Sequence, residues 1–276
     1  MAIRNGKELI MVNEKYHGLG TAPSVIRELF AYGLQQAKVV GKENVYDYSL
    51  GNPSIPAPAK VNETIKKLVD TEDSIQLHGY SMAPGFENVR QAIADNLNER
   101  FGVNAKANEL FMTCGCAPAL VSVAHALTTS PEDEFVAIAP FFPEYNVFFT
   151  CAGAKLTVVP ADTVHFQIDM DALEKTINEH SVAVVINSPN NPSGVVYTEG
   201  TLKAIAELLD RKSKEYGHPI YIIADEPYRE LVYDGVKVTF IPTVYDNTIV
   251  CYSWSKSLSL PGERIGYVYV PEKCAD

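Results

Sequence analysis

One lysine, two serines and one arginine cluster near the end of the chain, directly after a short apolar segment. Ser253, Ser255 and Lys256 follow the apolar run at residues 248–252, and Arg264 comes eight residues after the lysine. A lysine amine can form a Schiff base with an aldehyde, while hydroxyls and a guanidinium can hold a phosphate group. This combination indicates pyridoxal 5′-phosphate. A solvated lysine and arginine at an ordinary strand end is the alternative.

A second segment with suitable chemistry is the small-residue turn at residues 113–117. It contains Gly115, Cys116 and Ala117 and leads into a predicted helix at residues 118–127. The first turn of a helix exposes unpaired backbone N–H groups and the positive end of the dipole, which favours phosphate binding. A tight turn between a strand and a helix, with no ligand, has the same sequence pattern.

Aromatic and amide side chains follow two further apolar runs. Phe142 and Tyr145 come after the first run, where aromatic rings either cover a flat ligand or fill the core. The loop at residues 187–194, which contains Asn191, comes after the second run. It offers amide side chains at the sheet edge, and an ordinary Asn/Pro/Gly turn is its alternative interpretation.

A carboxylate follows the run at residues 220–224. Asp225, with Tyr228 three residues later, lies at the end of a predicted buried strand and therefore needs a partner. A protonated pyridine nitrogen is such a partner, and the pairing would keep the ring an electron sink. A cap on the following segment, or an ion pair with Arg229, is the structural alternative.

The elements that position these residues predict an α/β fold. Apolar, β-branched or aromatic runs occur at residues 109–113, 135–139, 155–159, 182–186, 220–224, 248–252 and 265–270. Helical periodicity separates most of them, for example at 86–101, 170–178 and 202–216. Nearer the N-terminus, residues 46–50 predict a further short strand, which the turn residues at 51–53 would end. The pattern predicts a mostly parallel seven-stranded sheet with helices on both faces. Ligands bind at the carboxyl ends of such strands, where all the candidate residues lie.

Composition restricts the possible partners. The 276 residues carry a formal net charge of −11 and no basic block, which argues against nucleic acid. Five scattered cysteines form neither a disulfide framework nor a zinc pattern, so we expect no metal and a cytoplasmic location. No apolar run approaches the length of about 20 residues that a membrane span requires.

Together these segments make the sequence similar to the class I/II aminotransferases, which are fold type I enzymes that use pyridoxal phosphate. The similarity extends from about residue 50 to residue 267, and the Asn-Pro-Ser-Gly loop and the Ser-x-x-Lys to Arg spacing are its most specific parts. It is carried by Tyr80, Gly85, Gly115, Cys116, Ala117, Phe142, Asn191, Pro192, Ser193, Gly194, Asp225, Tyr228, Ser253, Lys256 and Arg264.

The resemblance implies a role for each catalytic residue. Lys256 would form the internal aldimine and then move the proton between the substrate Cα and the cofactor. Asp225 would pair with the pyridinium nitrogen, and Tyr228 and Asn191 would hydrogen-bond the 3-oxygen of the ring.

The resemblance also implies the remaining contacts to cofactor and substrate. Arg264, Ser253 and the backbone at Cys116 and Ala117 would bind the phosphate, with Ser255 as a further contributor. Phe142 would stack on the ring.

Two further positions concern the neighbouring subunit and the substrate. Tyr80 is similar to the residue that reaches the phosphate of the neighbouring subunit, which implies a homodimer with shared active sites. Gly51, together with Asn191, would lie near the substrate.

The family comparison also predicts the domain organisation. Residues 1–52 would be an N-terminal segment of the small domain, and residues 53–276 would form the cofactor-binding large domain. The C-terminal small domain, which supplies the arginine for the substrate carboxylate in the family, has no counterpart in this sequence.

The expected activity is transfer of an amino group between an L-amino acid and a 2-oxo acid. The same lysine and carboxylate would also serve a lyase, a decarboxylase or a synthase of this fold. A non-catalytic ligand-binding domain is the third interpretation.

Overall fold

The computed structural model describes residues 12–275 throughout and the backbone of residues 3–4 and 7–8. The chain divides into two compact units, Met1–Pro53 and Ser54–Asp276. The first unit contains a two-stranded antiparallel sheet and two helices: β1 (Ile3–Arg4), β2 (Lys7–Glu8), α1 (Glu14–Thr21) and α2 (Val25–Val40). No residue of α1 or α2 is buried.

The strand that residues 46–50 could have formed in the first unit is absent. Residues 45–48 have no regular structure, and residues 49–50 form a bend. The carboxylate of Asp47 accepts hydrogen bonds from the backbone N–H of Ser49, at 2.8 Å, and from its hydroxyl, at 2.6 Å. This local bonding competes with strand pairing and stabilises the bend instead.

The second unit alternates helices with strands. Its helices are α3 (Ala59–Thr71), α4 (Ser74–His78), α5 (Glu87–Phe101), α6 (Cys116–Leu127), α7 (Glu144–Ala152), α8 (Met170–Thr176), α9 (Glu199–Tyr216) and α10 (Trp254–Ser257). Its strands are β3 (Leu110–Thr113), β4 (Glu134–Ile138), β5 (Lys155–Val159), β6 (Ser181–Asn187), β7 (Tyr221–Asp225), β8 (Thr248–Ser253) and β9 (Gly266–Tyr269). All seven predicted strands are present, and their ends differ from the predictions by one residue at most.

The seven strands form one mixed sheet in the order β3-β9-β8-β7-β6-β4-β5. All neighbouring pairs from β8 to β5 are parallel, whereas β9 is antiparallel to both β8 and β3. The segment between β8 and β9 contains only the four-residue helix α10. A parallel connection usually crosses a face of the sheet through a longer helix, which this segment lacks, and β9 runs antiparallel to β8. The mostly parallel sheet predicted from the sequence is confirmed.

Helices cover both faces of the sheet, as predicted. Val184 and Ile186 of β6 belong to the core cluster that includes residues of α5, α8 and α9. Ala183 and Val185 belong to the opposite cluster, which includes residues of α6 and α7. Successive side chains of a strand point to opposite faces, and burial of both faces explains the continuous apolar runs. In the described part of the chain, none of the helices has the length and apolar character needed to cross a membrane.

A buried ion pair lies directly beyond β7. The Nε atom of Arg229 is 2.6 Å from Oε2 of Glu226, and both side chains are at most 3% exposed. The guanidinium also lies over the aromatic rings of Tyr252 and Phe240, at 4.5 and 5.0 Å from their centroids. The guanidinium of Arg229 is therefore paired with Glu226, and the alternative in which Arg229 pairs with Asp225 is wrong.

Arg229→Met is expected to lower the free energy of unfolding by about 3–5 kcal/mol, because it leaves Glu226 charged and buried without a partner. The matched control is Lys203→Met, which removes an exposed pair with Glu199 and is expected to leave the free energy of unfolding nearly unchanged. Urea unfolding of the two variants measures both values. Equal losses would contradict the role assigned to the buried pair.

Candidate active site

The sheet register aligns the strand ends that carry the candidate residues. Asn187 at the end of β6 is paired with Asp225 at the end of β7, and Asp225 is paired with Cys251 of β8. Two residues further along β8, Ser253 is paired with Gly266 of β9, which is also paired with Thr113 of β3. The ends of four strands therefore lie along one edge of the sheet.

Asp225 is buried at this edge, with 5% of its surface exposed. Its Oδ1 atom accepts a hydrogen bond from the thiol of Cys116, with a sulfur–oxygen distance of 2.9 Å. Its Oδ2 atom accepts a hydrogen bond from the hydroxyl of Tyr145. Burial raises the pKa of the Asp225 carboxyl, and the two hydrogen bonds oppose this rise.

The two donors are themselves buried and protonated. Burial raises the pKa of the Cys116 thiol and of the Tyr145 hydroxyl well above their ordinary values, and the neighbouring Asp225 raises both further. Tyr145 was expected to fill the core or to cover a flat ligand, and its hydrogen bond to Asp225 was not predicted. A tyrosine three residues after Phe142 gives no sequence signal for this contact, because the partner lies eighty positions away.

The loop after β6 is connected to Asp225 through Asn187. The side-chain amide of Asn187 donates to the backbone carbonyl of Asp225 at 2.8 Å, and its Oδ1 accepts from the backbone N–H of Asn191 at 2.6 Å. Asn191 in turn donates a hydrogen bond to the hydroxyl of Tyr228. Burial raises the pKa of this hydroxyl, and the hydrogen bond from Asn191 opposes the rise. Asn187 was not among the predicted site residues, yet it positions two of them.

The turn before α6 packs closely against the guanidinium of Arg264. Gly115 has φ of 100°, a conformation that favours glycine, and a Cβ atom there would lie 2.6 Å from an Nη atom of Arg264. A Cβ atom on Gly266 would lie 3.0 Å from the Cα atom of Gly115. Two glycines thus let the N-terminus of α6, where Cys116 and the half-buried Ala117 lie, approach both β9 and a guanidinium.

The lysine follows the end of β8 in the short helix α10. Ser253 and Ser255 are buried, whereas Lys256 is half-buried. Burial lowers the pKa of the Lys256 amine, so a larger fraction of it is neutral than for a lysine in water.

The predicted ring-stacking residue, Phe142, lies beside Tyr145. The two rings are 5.9 Å apart at their centroids and meet edge to face at 86°. Phe142 is half-buried, so part of its surface remains accessible at the strand end. The structure therefore brings Phe142, Tyr145, Asp225 and Cys116 into one contiguous group.

Two further predicted site residues, Tyr80 and Gly51, are exposed. Tyr80 lies in the segment after α4 and is fully exposed. Gly51 is exposed and belongs to the first compact unit.

The donor set fits pyridoxal 5′-phosphate. A buried carboxylate held by neutral donors is suited to a protonated ring nitrogen, and Tyr228 with Asn191 is suited to a ring oxygen. A helix N-terminus beneath Arg264 is suited to a phosphate. A half-buried amine with a lowered pKa is suited to covalent bonding with an aldehyde.

Comparison with known proteins gives one consistent family. The profile of the family "Aminotransferase class I and II" matches residues 42–276. A probable N-acetyl-LL-diaminopimelate aminotransferase of Bacillus subtilis is 29% identical over 252 residues, which cover 90% of this chain and 61% of that protein. The chain therefore spans less than two thirds of the length of this relative.

Solved structures show the same fold. The crystal structure of an amino transferase from Eubacterium rectale is 60% identical, with a TM-score of 0.94 over 97% of this chain and 67% of that one. The aspartate aminotransferase of Thermus thermophilus with maleate is 25% identical, with a TM-score of 0.80 over 95% of this chain and 65% of that one.

Gly115→Ala is expected to weaken binding of pyridoxal 5′-phosphate by about tenfold or more, because the new Cβ atom displaces Arg264. The matched control is Gly217→Ala, which also has a positive φ, of 79°, but has no atom within 4 Å of the new Cβ. Gly217→Ala should lose about 1–2 kcal/mol of stability through left-handed backbone strain. Gly115→Ala should lose about 1–3 kcal/mol, because Gly115, with φ of 100° and ψ of 176°, has a backbone conformation that is open essentially to glycine alone. Absorbance titration gives the affinities, and equal affinities in the two variants would contradict the proximity of this turn to the phosphate.

Proposed function

Since the chain belongs to the class I and II aminotransferase family, we propose that it transfers an amino group between an L-amino acid and a 2-oxo acid. Members of this family use pyridoxal 5′-phosphate as their cofactor. The observation that carries the proposal is that a buried Asp225, held by neutral donors, and a half-buried Lys256 of lowered pKa follow neighbouring strands at the same edge of the sheet. The curated relatives act on different substrates by name, among them aromatic amino acids, arginine and aspartate, so the proposal stays at the level of substrate class.

Asp225 and Lys256 would carry out the chemical steps. When bound, pyridoxal phosphate supplies an aldehyde for the amino group and a protonated ring that withdraws electrons. Asp225 would hold the proton on the ring nitrogen, which a carboxylate does only while it stays ionised. Lys256 would hold the aldehyde carbon and, once released by the incoming amine, its Nζ atom would take the proton from the substrate Cα.

The remaining residues would bind and orient the cofactor. Arg264, the hydroxyl of Ser253 and the backbone N–H groups at Cys116 and Ala117 would take the phosphate, with Ser255 as a further donor. These groups combine a positive charge with the N-terminus of α6, which is twelve residues long.

Three side chains would contact the cofactor ring itself. Tyr228 and Asn191, which are already hydrogen-bonded to each other, would contact the ring oxygen. Phe142 would cover one face of the ring, and its half-buried position beside Tyr145 supports this role.

We also propose a homodimer in which Tyr80 reaches the phosphate of the partner subunit. The full exposure of the Tyr80 side chain supports this proposal.

Gly51 and Asn191 would contact the substrate. Residues 1–52 would belong to a small domain, to which the relatives contribute a further segment that this chain does not span. The absence of buried residues in α1 and α2 supports this, because helices of a complete domain bury one face. No disulfide joins the cysteines of the described residues, which supports a cytoplasmic location.

Lys256→Ala is expected to abolish the absorbance band of the lysine–cofactor imine and to lower turnover by at least about a thousandfold, because the covalent bond to the cofactor and the proton acceptor are both lost. A panel of amino acids with and without an added 2-oxo acid measures turnover in the wild type and the variant. Product that needs no 2-oxo acid would indicate a lyase or a decarboxylase. Wild-type activity in Lys256→Ala would remove this lysine from the mechanism.

The lowered pKa of Lys256 predicts the pH dependence of cofactor capture. Only the neutral amine attacks an aldehyde, so the capture rate should rise with pH and level off above the pKa of Lys256. Because burial lowers this pKa, the midpoint should lie below that of Nα-acetyl-lysine amide reacting with the same aldehyde. Stopped-flow absorbance provides both profiles, and a midpoint equal to that of the free amine would contradict the assignment.

A further inference from the structure

We propose that Tyr145 and Cys116 are positioning residues that hold the two carboxylate oxygens of Asp225 toward the ring nitrogen of pyridoxal phosphate. Through Cys116, the same contact connects the phosphate-binding turn to the site of the ring nitrogen. The proposal rests on the proposed function and deepens it, because it assigns a task to two side chains that the cofactor itself need not touch.

The geometry gives each carboxylate oxygen its own donor. The thiol of Cys116 donates to Oδ1 at 2.9 Å, and the hydroxyl of Tyr145 donates to Oδ2. The donors come from different helices, α6 and α7, and both belong to the same core cluster. Fixing both oxygens fixes the plane of the carboxylate. A carboxylate has about four lone-pair sites, so each oxygen keeps capacity for a further donor.

The packing around each donor restricts its movement. Tyr145 is 1% exposed, and its ring is parallel to that of Phe141 at 6.1 Å and edge-on to that of Phe142 at 5.9 Å. Cys116 is the first residue of α6 and directly follows Gly115, the residue beneath Arg264. A displacement of Asp225 would therefore also displace Phe142, through Tyr145, and the phosphate-binding turn at Gly115, through Cys116.

The ionised carboxylate of Asp225 is stabilised by neutral hydrogen-bond donors. Among the described residues, the ionisable groups whose pKa Asp225 raises include Cys116, Tyr145, Tyr228, Cys251 and Glu226, and none of these five is a cation. The adjacent cation, Arg229, is paired with Glu226. The two hydrogen bonds therefore supply the stabilisation of the ionised carboxylate until a protonated ring nitrogen arrives.

The test uses the full 276-residue chain and two ligands, pyridoxal 5′-phosphate and its 1-deaza analogue, in which carbon replaces the ring nitrogen. Tyr145→Phe and Cys116→Ala should each bind pyridoxal phosphate about tenfold more weakly, the effect of one lost hydrogen bond to a charged group. Both should bind the 1-deaza analogue as tightly as the wild type does, because that analogue has no ring nitrogen for Asp225. Cys116→Ser, which keeps a donor, should restore most of the affinity for pyridoxal phosphate.

The control variant is Tyr245→Phe, which removes a buried hydroxyl that donates to the backbone carbonyl of Ile220 at 2.6 Å. It should leave both affinities unchanged, and urea unfolding of every variant separates a folding defect from a binding defect. Equal losses for the two ligands, or wild-type affinities in Tyr145→Phe and Cys116→Ala, would overturn the inference alone. Failure of the wild type to bind either ligand would overturn the proposed function, and the inference with it.

Discussion

The carboxylate of Asp225 is buried at the end of a strand that is covered on both faces, and neutral side chains hold it in place of a cation. A buried charge of this kind is unfavourable unless hydrogen bonds or an opposite charge compensate it. The thiol of Cys116 and the hydroxyl of Tyr145 compensate it in part, and a protonated ring nitrogen would complete the compensation. The chemistry proposed for Lys256 depends on this arrangement, because an electron-withdrawing ring requires an ionised carboxylate.

The fold produces this arrangement through its register and its glycines. Asn187, Asp225 and Cys251 are aligned across three parallel strands, so their side chains meet at one edge. The reversal of β9 lets β3 run in the same direction as the parallel strands and brings its turn to the same edge. Gly115 is then required where the backbone passes beneath Arg264, because a side chain there would occupy the position of the guanidinium.

The seven strands and the sheet edge that carries the candidate residues could be predicted from apolar runs and from the residues that follow them. The contacts of Asp225 could not, because Cys116 and Tyr145 lie on helices far from it in sequence. The sequence also could not predict which carboxylate pairs with Arg229, because Asp225 and Glu226 are adjacent and only the fold decides between them. The predicted strand at residues 46–50 was wrong because Asp47 and Ser49 stabilise a local bend.

The protonation state of the ring nitrogen is the most direct test of the central role of Asp225. It can be measured as the ¹⁵N chemical shift of pyridoxal 5′-phosphate that is labelled at this nitrogen and bound to the protein. The account predicts the shift of a protonated pyridine in the wild type, maintained to a higher pH than in the free cofactor, and its loss in Asp225→Ala. An unprotonated nitrogen in the wild type at neutral pH would contradict the account.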